Sequence, residues 1–189
     1  MANEVEIKFL VQDLEKLRAE LRAAGFRERT PRTHEMNVLY DFPGRPLRAK
    51  GELLRIRKYG EKWKLTHKGP GDAGKHKSRV ETETEVKDGA ALEAILRALG
   101  MQEAFRYEKF RSEWTDGQGE IVLDETPIGN VAEIEGPPEW IDATAKRLGV
   151  AEREYITKSY AVLFEEWKQR TGSRATEMTF AALGAPNPR

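Results

Sequence analysis

The chain has 189 residues, enough for one folded domain with a sizeable core and too few for two comfortable ones. Its 32 basic and 32 acidic side chains cancel, so there is neither the positive field that favours nucleic acid nor the acidic excess that favours disorder. The absence of cysteine excludes disulfides, thiolate metal sites and a cysteine nucleophile. With no leader pattern and no run of about 18 apolar residues, we expect a cytoplasmic protein that binds neither nucleic acid nor membrane.

The first predicted element is a strand over residues 3–11, in which charged and apolar residues alternate. A period of two places Glu4, Glu6 and Lys8 on one face and apolar residues on the other. A solvated sheet face is the simplest explanation of this pattern on its own. The charged fraction of the chain is 34%, however, against an average of about 25%, so charged faces must recur elsewhere.

Amphipathic helices interrupt the strands. The first two each begin at an aspartate that can cap the helix and end at a glycine, which is the pattern expected at helix termini. The third begins after a pair of prolines. The four predicted helices run from Asp13 to Gly25, from Asp88 to Gly100, from Pro138 to Gly149 and from Lys158 to Gln169.

Seven further segments alternate with a period of two: NVLYDF, LLRIRKYG, KWKLTHK, SRVETETEV, RYEKFRSEW, GEIVLDE and VAEIEG. Short polar turns separate several of them, which favours antiparallel pairing. With the first strand they make about eight. The sequence therefore predicts an α+β domain over residues 1–170, followed by a C-terminal arm or tail over 171–189.

Most predicted strands carry charged side chains on one face and apolar side chains on the other. Helices need an apolar surface to cover. The pattern fits either a closed barrel with its charges inside and helices outside, or an open sheet with helices on one side and its charges in water. The patterning alone leaves both open, because buried charges are costly unless they are paired or serve a ligand.

The proposed interior carries clusters of both signs, which favours the barrel and a ligand that needs both. Hard cations such as Mg2+ and Mn2+ take carboxylate oxygens and complete their shells with water and phosphate. Arginine binds phosphate oxygens through two parallel hydrogen bonds, and lysine supplies a point charge. A metal-bound polyphosphate satisfies both requirements.

In this order, the motifs resemble those of the CYTH superfamily of triphosphate tunnel metalloenzymes, whose hallmark is an N-terminal ExExK. That signature stands here as Glu4, Glu6 and Lys8, and it is followed by LRIRK, KWKLTHK, SRVETE, EKFR, VLDE, AEIEG and ITKSY. The resemblance covers roughly residues 3–167. It implies an eight-stranded antiparallel β-barrel with a polar interior, covered by helices, that binds a small-molecule triphosphate with Mg2+ or Mn2+.

The resemblance also assigns roles to individual residues. It implies that Lys8 acts close to the reacting phosphate. The implied metal ligands are Glu4, Glu6, Glu133 and Glu135, with Glu83 and Asp124 as further members. The implied triphosphate-binding residues are Arg55, Arg57, Lys64, Arg79, Lys109, Arg111 and Lys158. The number of metals and the choice between monomer and homodimer stay open.

Two reactions fit such a site. Hydrolysis needs water aimed at a terminal phosphate, and a neutral Lys8 can assist as base if neighbouring cations lower its pKa. Cyclisation needs the ribose 3′-oxygen of ATP aimed at the α-phosphate, as in the class IV adenylate cyclases of this family. We expect hydrolysis of an inorganic or organic triphosphate such as thiamine triphosphate, because no adenine-binding motif is found. A non-catalytic polyphosphate-binding module is the third reading.

The stretch GPGDAGKH, residues 69–76, matches much of a phosphate-binding loop. His76 stands where that loop requires a hydroxyl, and a strand pattern follows where a helix is required. We therefore predict a hairpin loop at one mouth of the tunnel.

Overall fold

Eight antiparallel strands close into a barrel in a computed structural model that describes residues 2–72 and 74–185, with the backbone alone for residues 2–3. The strands are β1 (Ala2–Val11), β2 (Arg27–Asp41), β3 (Leu53–Tyr59), β4 (Lys62–Lys68), β5 (Lys77–Val86), β6 (Gln102–Thr115), β7 (Glu120–Thr126) and β8 (Gly129–Glu135). Their order around the barrel is β1-β5-β4-β3-β2-β6-β7-β8. The closed barrel predicted from the alternating charge is confirmed, and the open sheet is excluded.

The helices are α1 (Leu14–Ala23), α2 (Pro46–Ala49), α3 (Gly89–Ala98), α4 (Pro138–Arg147), α5 (Tyr160–Thr171) and α6 (Phe180–Leu183). The side chains of Asp13 and Asp88 cap α1 and α3 as predicted, each accepting a backbone hydrogen bond of 2.9 Å. The fourth predicted helix begins two residues late, because Ser159 caps it. Among the described residues, the longest helix has 12 residues, and none is long and apolar enough to span a bilayer.

Strand β2 is much longer than the predicted NVLYDF. Its first half, RERTPRTHEM, has no apolar alternation, so the pattern does not reveal it. The pairing of β2 with β6 shifts register near Pro31, between Glu28 and Thr30 and again between Thr30 and Thr33. A proline cannot donate to a ladder and is tolerated at such irregularities. The long partner strand β6 therefore decides the conformation of this segment.

The apolar core lies outside the barrel wall, under the helices. The largest cluster joins α1 and α4 to the outer faces of β1, β7 and β8, and it contains Leu21, Ile134 and Ile141, all fully buried. Smaller clusters lie under α3 and under α5. Helices thus cover the apolar faces of the strands, and the opposite, charged faces point into the barrel.

The segment predicted as a C-terminal arm lies against β6. Met178 is fully buried and exchanges backbone hydrogen bonds of 3.0 Å with Arg106 and Glu108. The ring of Phe180 packs 5.6 Å from that of Phe110. The arm is therefore paired to the barrel as far as α6, and the predicted tail at residues 186–189 lies outside the described residues.

Candidate functional site

The barrel encloses a cavity of ≈ 560 Å³ that is lined almost entirely by charged side chains. All eight strands contribute, and ten basic and eight acidic residues face it. Strand alternation explains this composition, because each strand turns the face opposite its helix-covered side inward. Leu53 and Val122 are the apolar residues in the lining.

The structure brings nearly all the predicted site residues to this one cavity. Asp124 and Lys158 are the exceptions and do not line it. The predicted residues that do are Glu4, Glu6, Lys8, Arg55, Arg57, Lys64, Arg79, Glu83, Lys109, Arg111, Glu133 and Glu135.

Four carboxylates of the neighbouring strands β1 and β8 form an acidic group, defined here as Glu4, Glu6, Glu133 and Glu135. The antiparallel register sets Glu6 beside Glu135. Lysines hold three of the four: Lys68 Nζ lies 2.6 Å from Glu4, Lys77 bonds Glu6, and Lys8 Nζ lies 2.7 Å from Glu6 and 3.3 Å from Glu133. Burial favours the neutral form of Glu6, yet Lys8 and Lys77 outweigh it and lower the pKa of Glu6 to about 2.

Glu135 differs from the rest of the acidic group, since no described side chain pairs with it. Burial and the repulsion of Glu4, Glu6 and Glu133 raise the pKa of Glu135 to about 7. An added divalent cation would relieve this excess of negative charge, and carboxylate oxygens are the ligands that Mg2+ and Mn2+ prefer. The acidic group therefore fits the implied metal in chemistry. Among the described residues, however, no three carboxylate or histidine side chains lie close enough together to hold a metal ion, and lysines pair with three of the four carboxylates.

Lys8 is a buried ammonium, which corrects the expectation of a neutral base. Burial alone would lower the pKa of Lys8, but Glu133 and Glu6 outweigh it and raise the pKa above the ordinary lysine value. The anticipated lowering by neighbouring cations does not occur, because carboxylates are the nearer groups. These surroundings favour the ammonium form of Lys8, which is suited to stabilise negative charge.

Six predicted cations form a second group, here called the cationic group: Arg55, Arg57, Lys64, Arg79, Lys109 and Arg111. The Nε–H donors of Arg55, Arg57 and Arg79 are buried and lack an acceptor within the described part of the chain. A buried N–H donor without an acceptor lowers the stability of the fold, and a phosphate oxygen would supply the missing acceptor. The cationic group is therefore suited to an anion with several oxygens.

Glu83 lies among these cations and not in the acidic group. It accepts hydrogen bonds from Arg57 at 2.7 Å, Lys64 at 2.5 Å and Thr66 at 2.8 Å. Burial opposes its charge, but Lys64 and Arg57 prevail and lower its pKa to about 2. The structure thus places Glu83 where it orients cations.

Asp124 is fully buried in the wall behind the cavity. It accepts hydrogen bonds from Lys109 Nζ at 2.8 Å, from Arg111 Nε and Nη2 at 2.7 Å, and from the Tyr160 hydroxyl at 2.5 Å. Its oxygens are therefore occupied, and it anchors two members of the cationic group. Lys158 lies on the outer surface, half exposed, with its Nζ 2.6 Å from Glu166.

Several residues of the site escaped the sequence analysis. Glu35 is fully buried behind the cationic group, in the half of β2 where alternation is lost. Lys77 is the first residue of β5, and no motif singled it out. Lys68 lies on the correct strand face, but no motif singled it out. Tyr160 is the first residue of α5 and was predicted only as part of a helix. The tertiary structure places it in the lining of the cavity.

Comparison with known proteins agrees with this geometry. The family model described as the CYTH domain matches residues 2–160. A Methanocaldococcus jannaschii protein that carries the provisional name of an adenylate cyclase is 27% identical over 171 residues, covering 85% of this chain and 97% of that protein.

Two solved structures illustrate the shared fold. A Pyrococcus horikoshii protein is similar with a TM-score of 0.73 and 27% identity, over 86% of this chain and 98% of that one. A Vibrio parahaemolyticus protein, provisionally named an adenylate cyclase, has a TM-score of 0.77 at 20% identity over 86% and 97%. At the lower identity the similarity concerns the fold alone.

Proposed function

The chain belongs to the CYTH domain family, and from that premise we propose that it is a divalent-metal-dependent triphosphatase that hydrolyses an inorganic or organic triphosphate, such as thiamine triphosphate, inside the barrel. One observation carries the proposal: the same cavity inside the barrel holds an acidic group suited to metal and a cationic group suited to phosphate. Neither group alone would favour this substrate class.

The balance of charge in the cavity supports a metal complex as the substrate. Ten basic and eight acidic side chains line it, so the lining itself carries little net positive charge. A free triphosphate would bring about four negative charges at neutral pH next to those carboxylates, whereas one or two Mg2+ or Mn2+ ions would neutralise them. Glu4, Glu6, Glu133 and Glu135 would hold the metal, which supplies Lewis acidity and charge neutralisation when bound.

The chain's own residues supply positioning and electrostatic stabilisation. Arg55, Arg57 and Arg79 offer unused Nε–H donors to the phosphate oxygens. Lys8, an ammonium between Glu6 and Glu133, would stabilise the negative charge that develops during phosphoryl transfer. Asp124 and Glu83 orient the cations, and the closed barrel limits the access of bulk water.

A class IV adenylate cyclase is the second candidate, because the 27% identical relative bears that name. The same cationic group would then hold ATP with its α-phosphate presented to the ribose 3′-oxygen. The aromatic residues of the lining are Tyr107 and Tyr160, and their rings already have partners: Tyr107 stacks on Phe105 at 5.5 Å and on Tyr160 at 5.8 Å, and Lys109 Nζ lies 4.5 Å from the centre of the Tyr160 ring. Because an adenine would need a free ring face, this favours hydrolysis. A non-catalytic polyphosphate-binding module is the lesser alternative.

Product analysis distinguishes the candidates. The purified protein is incubated with Mg2+ or Mn2+ and, separately, with inorganic triphosphate, thiamine triphosphate and ATP. Orthophosphate formed fastest from a non-nucleotide substrate is the expected result, and Glu6→Gln should abolish it. Cyclic AMP with pyrophosphate would instead establish the cyclase. Binding of triphosphate without any product would support the binding module.

A further inference from the structure

Glu35 is a buried carboxylate that the proposed reaction leaves without a role. It lies on β2 with no exposed surface and does not line the cavity. Its oxygens are 3.5 Å from Lys109 Nζ, 3.7 Å from Arg57 Nη1 and 3.9 Å from Arg111 Nε. All three cations face the cavity on their other side. Burial opposes the charge of Glu35, but Lys109 and Arg111 prevail and lower its pKa well below the ordinary range.

The hydrogen bonding of Glu35 is sparse for so buried a carboxylate. Its Oε1 accepts one bond, from Asn37 Nδ2 at 2.9 Å, and its Oε2 accepts none from the described residues. Asp124 contacts Lys109 and Arg111 as well, yet it accepts hydrogen bonds from both. Glu35 therefore places negative charge beside three cations without accepting a hydrogen bond from any of them.

This arrangement has a consequence for ligand affinity. Glu35 compensates part of the charge of three cations, although it accepts only one hydrogen bond. Its charge competes with any phosphate for the attraction of Arg57, Lys109 and Arg111. Small anions such as orthophosphate and pyrophosphate, which engage only the cations, are weakened most. A metal–triphosphate complex also binds the acidic group through its metal, so its affinity is lowered less.

We propose that Glu35 is a positioning residue that sets the phosphate affinity of the cavity, lowering the affinity for the hydrolysis products by offsetting the charge of Arg57, Lys109 and Arg111. The inference rests on the proposed function only in taking phosphates as the ligands of the cationic group. It assigns product release, and not the chemical step, to this carboxylate.

The test is the isosteric Glu35→Gln variant, which removes the charge and retains an oxygen for Asn37. Calorimetry in EDTA measures the binding of inorganic pyrophosphate and triphosphate. We expect both anions to bind about tenfold more tightly to the variant. The Glu35 charge offsets the attraction of three nearby cations for phosphate, and this Coulomb effect is large even at an effective dielectric of about 20. The matched control is Glu85→Gln on β5, an exposed side chain outside the cavity, which should leave both affinities unchanged.

Steady-state kinetics give a second readout that loss of structure would not produce. In Glu35→Gln, both KM and kcat for triphosphate should fall, KM because binding tightens and kcat because products leave slowly. Glu35→Asp, which keeps the charge, should restore values close to those of the wild type. If Glu35→Gln does not fold, Glu35→Met replaces the carboxylate with an apolar side chain of similar length and should shift affinity in the same direction.

Unchanged or weaker pyrophosphate binding by a folded Glu35→Gln protein would overturn the inference, even in an active triphosphatase. A wild-type protein that binds these anions without turnover would overturn the proposed hydrolysis, while tighter binding by the variant would still support the role of Glu35. If neither protein binds phosphates, both proposals are wrong.

Discussion

Asp124→Asn should destabilise the protein strongly, whether or not metal is present. The carboxylate has no exposed surface and accepts four hydrogen bonds of 2.5–2.8 Å from Lys109, Arg111 and Tyr160. Asparagine keeps the shape but removes the charge and turns an NH2 group toward existing donors. Removing one partner of a buried ion pair costs about 3–5 kcal/mol of unfolding free energy. In a protein of this size that corresponds to a fall in Tm of roughly 6–20 °C.

Thermal and urea unfolding, with and without EDTA, measure the effect. The matched control is Glu166→Gln, which removes the carboxylate of an exposed pair with Lys158 and should cost no more than about 1 kcal/mol. If Asp124 bound metal, the difference between variant and wild type would largely disappear in EDTA. The assignment of Asp124 as an anchor of the cationic group would be refuted by either of two results. One is that the difference in unfolding free energy disappears in EDTA, and the other is that Asp124→Asn lowers this free energy by less than about 1 kcal/mol.

Three further changes have defined outcomes. Because the pKa of Glu83 is lowered to about 2, its contribution to stability is complete above about pH 4.5 and is lost as the pH falls through about 2. Glu83→Gln should therefore cost about 1–2 kcal/mol at pH 7, after allowance for solvent screening, and most of that cost should be gone at pH 2, as denaturant titrations would show. Lys8→Ala should lower kcat about 10²–10³-fold, whereas Lys8→Arg should retain part of the rate without changing the acidic limb of the pH profile, on which a general base must lose its proton. Loss of that acidic limb in Lys8→Arg would mean that Lys8 is a base after all. Gly89→Ala should cost about 1–3 kcal/mol although alanine favours helices, because its Cβ would meet the Trp63 ring at 2.1 Å; an unchanged Tm would contradict this contact.

Much of the fold was predictable because its signals are local. A period of two in seven segments and capped amphipathic helices, such as the one after Asp13, indicated strands and helices directly. Strand β2 was predicted only in its second half. In the first half of β2, the pairing with β6, over residues far apart in sequence, overrides a local pattern that shows no alternation.

The site was predictable to a similar degree and for a related reason. Alternation decides which side of a strand a residue occupies, so Glu4, Arg57 and Arg111 were assigned to one surface without knowledge of the pairing. It does not decide which opposite charges meet. Those contacts depend on strand order and register. They include the bonds of Glu83 with Arg57 and Lys64 and the ion pairs of Asp124 with Lys109 and Arg111.

By itself, the sequence determined that charged strand faces oppose apolar ones and that helices are available to cover the apolar side. The clusters of both signs and the resemblance to the CYTH motifs then favoured a polar-lined barrel over an open sheet. The tertiary structure alone decided the protonation states and partners within it. Lys8 is charged because Glu133 lies across the β1–β8 pair, and Glu35 reaches the cationic group because β2 lies between β3 and β6. Coulomb interactions fall off over a few ångströms in space, and the spacing of residues along the chain does not reveal those distances.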